Sequence, residues 1–282
     1  MSIKLFSDSS ADISPKMADA MDITIIPLYI SFDGKKYYRE NIDLSPEKFY
    51  TLLCQPEAAP KTSCPPLAEF ISAFEKELKK GNDVVCVCIS AKLSSSYQTA
   101  VNAAEILSDS YDNKVLVIDS IGATGSQALL VLEIYKMIED GLTLEDIGRI
   151  SEELKYTSGV YFTLDDLSFL QKGGRIGKAS ALLGTILNIK PILKVEDGEV
   201  VPVGRIRGRK KAVEEVLRQF NNNITDKDNY SICALKFEQD ENAENLAEFL
   251  DCKDVINIYL GAAIGCHTGS TPVGVAYIKK YR

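Results

Sequence analysis

Val84-Val85-Cys86-Val87-Cys88-Ile89 is an unbroken apolar run that ends on Ser90, with Ser94-Ser95-Ser96 close behind. Two further runs end in the same way. Ile3–Phe6 leads into Ser7-Asp8-Ser9-Ser10, and Val115–Ile118 leads into Asp119-Ser120. Short apolar runs bounded by turn residues read as strands buried on both faces, the mark of a parallel sheet covered by helices. In such a sheet these junctions all fall at the carboxyl edge, where open α/β folds bind their ligands. Hydroxyls beside helix N-termini can receive a carboxylate or phosphate there, and a serine can equally cap the helix.

Between and after these runs lie helical patterns. Leu67–Lys80 stops at Gly81 and Gln127–Glu139 at Gly141, the helix-ending position glycine favours. Thr143 followed by Asp146 predicts the cap of a helix running through Leu154. Leu28–Phe32, Asp33-Gly34 and Lys35–Tyr38 read as a hairpin with a tight turn. From about Gly159 hairpins and helices mix. A strand at Val160–Leu164 precedes a glycine-rich stretch and an apolar helix around Ser180–Leu187. Pro191–Val195, Asp197-Gly198 and Val200–Arg205 form a second hairpin. Helices follow at Lys210–Phe220 and Asn242–Leu250, and strands at Ser231–Phe237, Val255–Leu260 and Val273–Ile278. The expected fold is α/β: a parallel sheet with flanking helices over residues 1–157, then a second α+β domain over 158–282.

Composition narrows the function. A chain of 282 residues that is 45% apolar and 26% charged can bury a large core. Its net charge of −8 argues against nucleic acid as main partner, because phosphate contacts need a basic surface. Seven cysteines without regular spacing fit buried thiols in a reducing compartment. No signal peptide is visible, and the longest uncharged stretch, Val255–Ile278, holds His267, Pro272 and several glycines, which suit a membrane span poorly. A cytoplasmic protein without an integral membrane span is expected.

Chemistry-bearing residues are few. His267 is the only histidine and lies in Gly265-Cys266-His267-Thr268-Gly269, read as a loop between two strands. Any imidazole chemistry must use it. Cys86 and Cys88 share one strand face without further ligands, so no metal site is expected. Gly173-Gly174-Arg175-Ile176-Gly177-Lys178 is one residue short of a nucleotide-binding loop, with Ala179 where a magnesium-binding hydroxyl would stand. Arg205, Arg207, Arg209, Lys210 and Lys211 make a local basic cluster that suits an acidic partner, a phosphorylated ligand or simple solvation. A serine hydrolase built on Ser94, His267 and Asp119 is an alternative, although Lys92-Leu93-Ser94-Ser95-Ser96 lacks the G-x-S-x-G elbow. A regulatory binding module without lipid is another.

Seven stretches in order resemble the DegV family of bacterial fatty-acid-binding proteins along nearly the whole chain. They are Asp8-Ser9-Ser10-Ala11-Asp12, Thr62-Ser63-Cys64-Pro65, Leu93-Ser94-Ser95-Ser96-Tyr97-Gln98 and Val117-Ile118-Asp119-Ser120. In the second half they are Lys172-Gly173-Gly174-Arg175-Ile176, Arg207-Gly208-Arg209-Lys210-Lys211-Ala212 and Gly265-Cys266-His267-Thr268-Gly269. The resemblance implies a long-chain fatty acid, palmitate- or oleate-like, lying between the two domains, and no cofactor or catalysis of the chain's own. By matching position, Thr62 and Ser94, with Ser95 beside them, hold the carboxylate and His267 stands near it. Arg175 and Arg207 match positions linked to ligand presentation and to docking of a separate fatty acid kinase, which forms the acyl-phosphate. An apolar lining is expected from Val160, Phe162, Leu167, Leu170, Leu182, Leu183, Ile186 and Leu187. The chain departs from the family where Ser94-Ser95-Ser96 replaces Ser-Gly-Thr, Cys64 replaces a glutamine, and Gly269-Ser270-Thr271-Pro272 replaces glycine-proline-glycine.

Overall fold

The computed structural model describes residues 2–282 except 56–57, 183, 185–187, 237–245, 251 and 253. Its strands are β1 (Ile3–Asp8), β2 (Thr24–Ile26), β3 (Tyr29–Ser31), β4 (Tyr38–Arg39), β5 (Lys61–Ser63), β6 (Asp83–Cys88), β7 (Val115–Asp119), β8 (Gly159–Thr163), β9 (Ile189–Glu196), β10 (Glu199–Arg207), β11 (Tyr230–Lys236), β12 (Ile256–Tyr259) and β13 (Val273–Lys279). The helices are α1 (Pro15–Ala20), α2 (Pro46–Leu53), α3 (Leu67–Leu78), α4 (Ser96–Ser108), α5 (Gly125–Glu139), α6 (Leu144–Leu154), α7 (Ser168–Lys172), α8 (Arg209–Asn223), α9 (Leu246–Phe249) and α10 (Ala262–Thr268).

The three apolar runs become β1, β6 and β7 of a four-stranded parallel sheet in the order β2-β1-β6-β7, with β1 and β6 at its centre. β6 is fully covered from Val84 to Cys88, which is why it carries no polar alternation. The second half builds a six-stranded mixed sheet in the order β10-β9-β8-β13-β11-β12, antiparallel except for the β11–β12 pair. The fold is therefore a two-domain α/β architecture with a parallel N-terminal and a mixed C-terminal sheet. A small sheet, β4-β3-β5, flanks the first.

α5 joins the two large sheets. It is buried nearly all round and packs on β13 and β11 from one side and on β1 and β6 from the other. A helix apolar on every face has no solvent side to offer and belongs between layers. Leu5, Val85 and Ile118 consequently share one core with Val160, Leu193, Leu235 and Ile278.

Local signals behave as their chemistry dictates. Gly81 and Gly141 take positive φ beyond the ends of α3 and α5, and the Thr143 hydroxyl accepts the Asp146 N–H at 3.2 Å. Glu196 pairs with Glu199 across Asp197-Gly198, both at positive φ, as a two-residue hairpin turn requires. The first hairpin is wider than expected, since Ile30 pairs with Tyr38. Asp33 accepts the Lys35 and Lys36 N–H groups at 2.8 and 2.9 Å, so a side-chain-closed turn replaces ladder bonds there.

Other expectations are corrected. Gly265–Gly269 is not a loop, because residues 262–268 form α10. Thr62, in a stretch given no element by the sequence pattern above, lies on β5. The helix expected at Ser180–Leu187 is a 3₁₀ turn over Gly177–Leu182, and Leu183, Ile186 and Leu187 lie outside the described residues. Of the helix expected at Asn242–Leu250, α9 is described and 242–245 are outside the described residues. Among the described residues no helix is long and apolar enough to cross a membrane.

Candidate functional site

A cavity of about 290 Å³ lies between the carboxyl edge of the parallel sheet and one face of the six-stranded sheet. That is roughly twice the ~150 Å³ of an apolar cavity able to admit benzene. Leu28, Ile89 and Leu93 line it from the first half, and Val160, Phe162, Leu170, Val195, Leu235 and Val273 from the second. Of the expected lining residues Val160, Phe162 and Leu170 are present. Leu167 and Leu182 instead line a separate surface pocket with Asp165.

The lining also has polar members. Thr62, Ser94, Ser95, Arg175 and His267 are all among them, although they come from β5, the turn before α4, the turn after α7, and α10. The Thr62 hydroxyl and His267 Nε2 are 2.8 Å apart. Ser94 Oγ accepts the Ser96 N–H at 3.2 Å at the start of α4, and Ser95 Oγ lies 3.1 Å from Cys64 Sγ, which also faces the cavity. Arg207 is exposed at the end of β10 and does not line the cavity.

His267 is held neutral. Burial, and after it the positive charge of Arg175, lower its pKa to about 4. Its Nδ1 has no hydrogen-bond partner among the described residues. Gly173 sits against that nitrogen so closely that a Cβ there would stand 2.1 Å from it. A hydroxyl–imidazole pair at 2.8 Å has the reach of a nucleophile and its base. Here no third group among the described residues orients the ring, and so low a pKa makes a poor base near neutrality. The Asp119 carboxyl accepts the Ile121 and Ala91 N–H groups at 2.8 and 3.3 Å, so it serves the turn after β7 and not His267. The Ser94–His267–Asp119 triad is not assembled.

Two carboxyl groups that sequence reasoning passed over fix the helix carrying His267. Asp12 Oδ1 accepts the Gly261 N–H at 2.9 Å and Glu40 Oε1 the Ala263 N–H at 2.7 Å, filling donors that open the N-terminus of α10. Both are buried. Burial first, then the neighbouring Glu40, raises the Asp12 pKa well above its ordinary value. Burial raises Glu40 to about 7, against the lowering effect of the Ser9 hydroxyl and the α10 N–H groups. Asp12 stood within a quoted motif, whereas Glu40, just past β4, had no local signal. The serines after β1 are likewise engaged inside the protein. Ser9 Oγ donates to Glu40, and Ser10 Oγ to Asp8, which also receives Ser96 Oγ at 2.7 Å, the Ile89 N–H at 3.0 Å and Gln127 Nε2 at 2.9 Å. Asp8 thereby ties β1, β6, α4 and α5 together, and of these serines Ser10 still reaches the cavity.

The arrangement has relatives. Residues 2–280 match the model of the DegV family, described as an uncharacterised protein family. A DegV domain-containing protein of Clostridium perfringens is 32% identical over 285 residues, covering 99% of this chain and 100% of its own. A stearic acid-binding protein from Eubacterium ventriosum is 34% identical and superposes with a TM-score of 0.92, covering 100% of this chain and 99% of its own. A fatty acid-binding DegV family protein from Thermus thermophilus is 31% identical with a TM-score of 0.89, covering 99% of this chain and 100% of its own. A match over almost every residue, in sequence and in fold, shows that the chain belongs to the DegV family.

Proposed function

We propose that this chain is a carrier that binds one long-chain fatty acid between two lobes, residues 1–157 and 158–282, and has no catalysis of its own. The observation that carries this reading is the largely apolar cavity whose lining includes the hydrogen-bonded Thr62–His267 pair. Burying about 14 methylenes yields a gross gain near ~11 kcal/mol at ~0.8 kcal/mol each. An ionised carboxylate follows that tail inside only where donors receive it. The Thr62 hydroxyl and His267 Nε2 already pair with one another. An arriving carboxylate draws the Thr62 O–H and a neutral imidazole N–H toward itself, with the Ser94 and Ser95 hydroxyls beside them. The stearic acid and fatty acid bound by the relatives support the same class of ligand.

The kinase partnership stands on the family resemblance and on charge. Arg205, Arg207, Lys210 and Lys211 are exposed where β10 runs into α8, a basic face on an acidic protein that suits docking of a fatty acid kinase. Seven free cysteines suit work in the reducing cytoplasm. Mass spectrometry of lipid extracted from the purified protein tests the central claim. One fatty acid per chain is the expected result. A protein that stays empty after incubation with palmitate or oleate would instead be the lipid-free regulatory module, and labelling of Ser94 by a fluorophosphonate probe would restore the hydrolase.

A further inference from the structure

Arg175 lies on the turn after α7 in the second half of the chain, and its guanidinium reaches the first half. Nε donates to the Leu93 carbonyl at 3.0 Å, and Nη1 donates to the Gly173 carbonyl at 2.6 Å. Both bonds end on backbone, and Leu93 belongs to the turn that presents Ser94 and Ser95. That turn is itself closed by the Leu93 and Ser94 N–H groups donating to the Ser90 carbonyl at 2.9 and 3.1 Å. Leu93, Arg175 and His267 line the same cavity, and Gly173 rests against His267 Nδ1. A second cross-link spans the same gap: Ser90 Oγ donates to the Gly198 carbonyl at 2.9 Å, in the turn between β9 and β10.

From this geometry we infer that Arg175 is a latch across the mouth of the cavity, clasping the Gly173–Arg175 turn to the Ser90–Ser95 turn and so gating entry and exit of the ligand. A planar guanidinium with several donors holds two carbonyls in fixed directions, which an ammonium does not. Releasing it frees the turn that covers His267 and the turn that carries Ser94 together. The gating consequence rests on the fatty-acid reading above, whereas the clasp does not.

Two measurements separate them. Hydrogen exchange of the ligand-free protein, read by mass spectrometry, reports the clasp. In Arg175→Ala the stretches 90–96 and 170–176 are expected to exchange faster than in the wild type, with α5 unchanged and Arg175→Lys in between. Stopped-flow exchange of a fluorescent fatty acid reports the gate. In Arg175→Ala association and dissociation are both expected to accelerate, dissociation on the order of tenfold for loss of a charge-assisted bond. Ser90→Ala, which loosens the other link, should move both rates in the same direction. Unchanged exchange in the two stretches overturns the latch whatever the ligand does. Slower association with faster dissociation also overturns it, because Arg175 would then be a direct ligand contact. A wild type that takes up no fatty acid defeats the fatty-acid reading instead, and hydrogen exchange still decides the clasp.

Discussion

Thr62 and Ser94 are 32 positions apart in sequence and come to line one cavity because β5 pairs with β3 while the turn after β6 opens α4 at the sheet edge. A hydroxyl donating to a buried carboxylate contributes about 1.5–3 kcal/mol. Thr62→Val keeps the shape and removes the donor, so it and Ser94→Ala should each weaken fatty-acid binding roughly 10- to 100-fold in titration calorimetry of delipidated protein. The double variant should lose less than the sum, because in the proposed site both donors serve one anion. Unchanged affinity in both single variants would place the carboxylate elsewhere. The titrating groups make a second prediction at this scale. His267 sits near pKa 4 in the fold against 6.5 in the open chain, so between those values the unfolded chain takes up a proton that the fold refuses. Ligand-free stability through this residue falls as pH drops from about 6.5 towards 4, and His267→Gln should flatten that limb of Tm against pH. Glu40 has the opposite sign. Its folded pKa near 7 exceeds the ordinary 4.5, so the stability linked to its retained proton is lost as pH rises through that window, and Glu40→Gln should flatten the decline of Tm between about pH 4.5 and 7.

At the scale of the element, α10 and α5 do most to place the site. α10 is short and crowded. A Cβ on Gly265 would stand 2.6 Å from Phe49 Cε1 and 2.8 Å from the Tyr50 hydroxyl, and one on Gly261 2.6 Å from Glu40 Oε1. These glycines let the helix approach α2 and the buried acids, bringing Ala262 and Cys266 into one cluster with Ile30 and Phe49. Glycine spaced through a short segment therefore read as a loop when its purpose was close packing. α5 shows the same device where it meets the second sheet, since a Cβ on Gly125 would lie 2.3 Å from Cys233 Sγ and 2.9 Å from the Ala276 Cβ. Overpacking of that kind costs about 1–3 kcal/mol, so Gly125→Ala should lower the denaturant midpoint with the urea slope unchanged. A changed slope would mean that the contact shapes the unfolded or native ensemble more broadly. The apolar helix itself was legible from Gln127 to Glu139, but nothing local said that both of its faces would be covered by different sheets.

For the whole molecule, a core that runs through α5 from one sheet to the other makes the two lobes poor candidates for independent unfolding. Calorimetry of the ligand-free chain is expected to show one cooperative transition, with calorimetric and van't Hoff enthalpies in agreement. Two separated transitions would show that α5 does not couple the sheets. A fatty acid that binds the native cavity should shift that single transition upward by mass action, about 2.7 kcal/mol of stabilisation at a hundredfold excess over Kd.

The strand runs Ile3–Phe6, Val84–Ile89 and Val115–Ile118, the caps at Gly81, Gly141 and Thr143, and the Asp197-Gly198 turn were determined by the sequence alone. Each depends on apolar continuity or on the dihedral preference of one or two residues, and both are local properties. Motif order was enough to name the family, and with it Thr62, Ser94, Ser95 and His267 as one group. Tertiary structure decided the rest. It set Thr62 on a strand and His267 on a helix, made Glu40 and Asp12 the anchors of that helix, left Arg207 outside the cavity, and joined Arg175 to the Leu93 carbonyl. Those facts depend on contacts between residues up to about 250 positions apart, such as Asp12 with Gly261, which no window of sequence contains. Burial then changed the chemistry of the residues so placed, because the low dielectric that lowers the His267 pKa to about 4 and raises that of Glu40 to about 7 exists only once both lobes have closed around them.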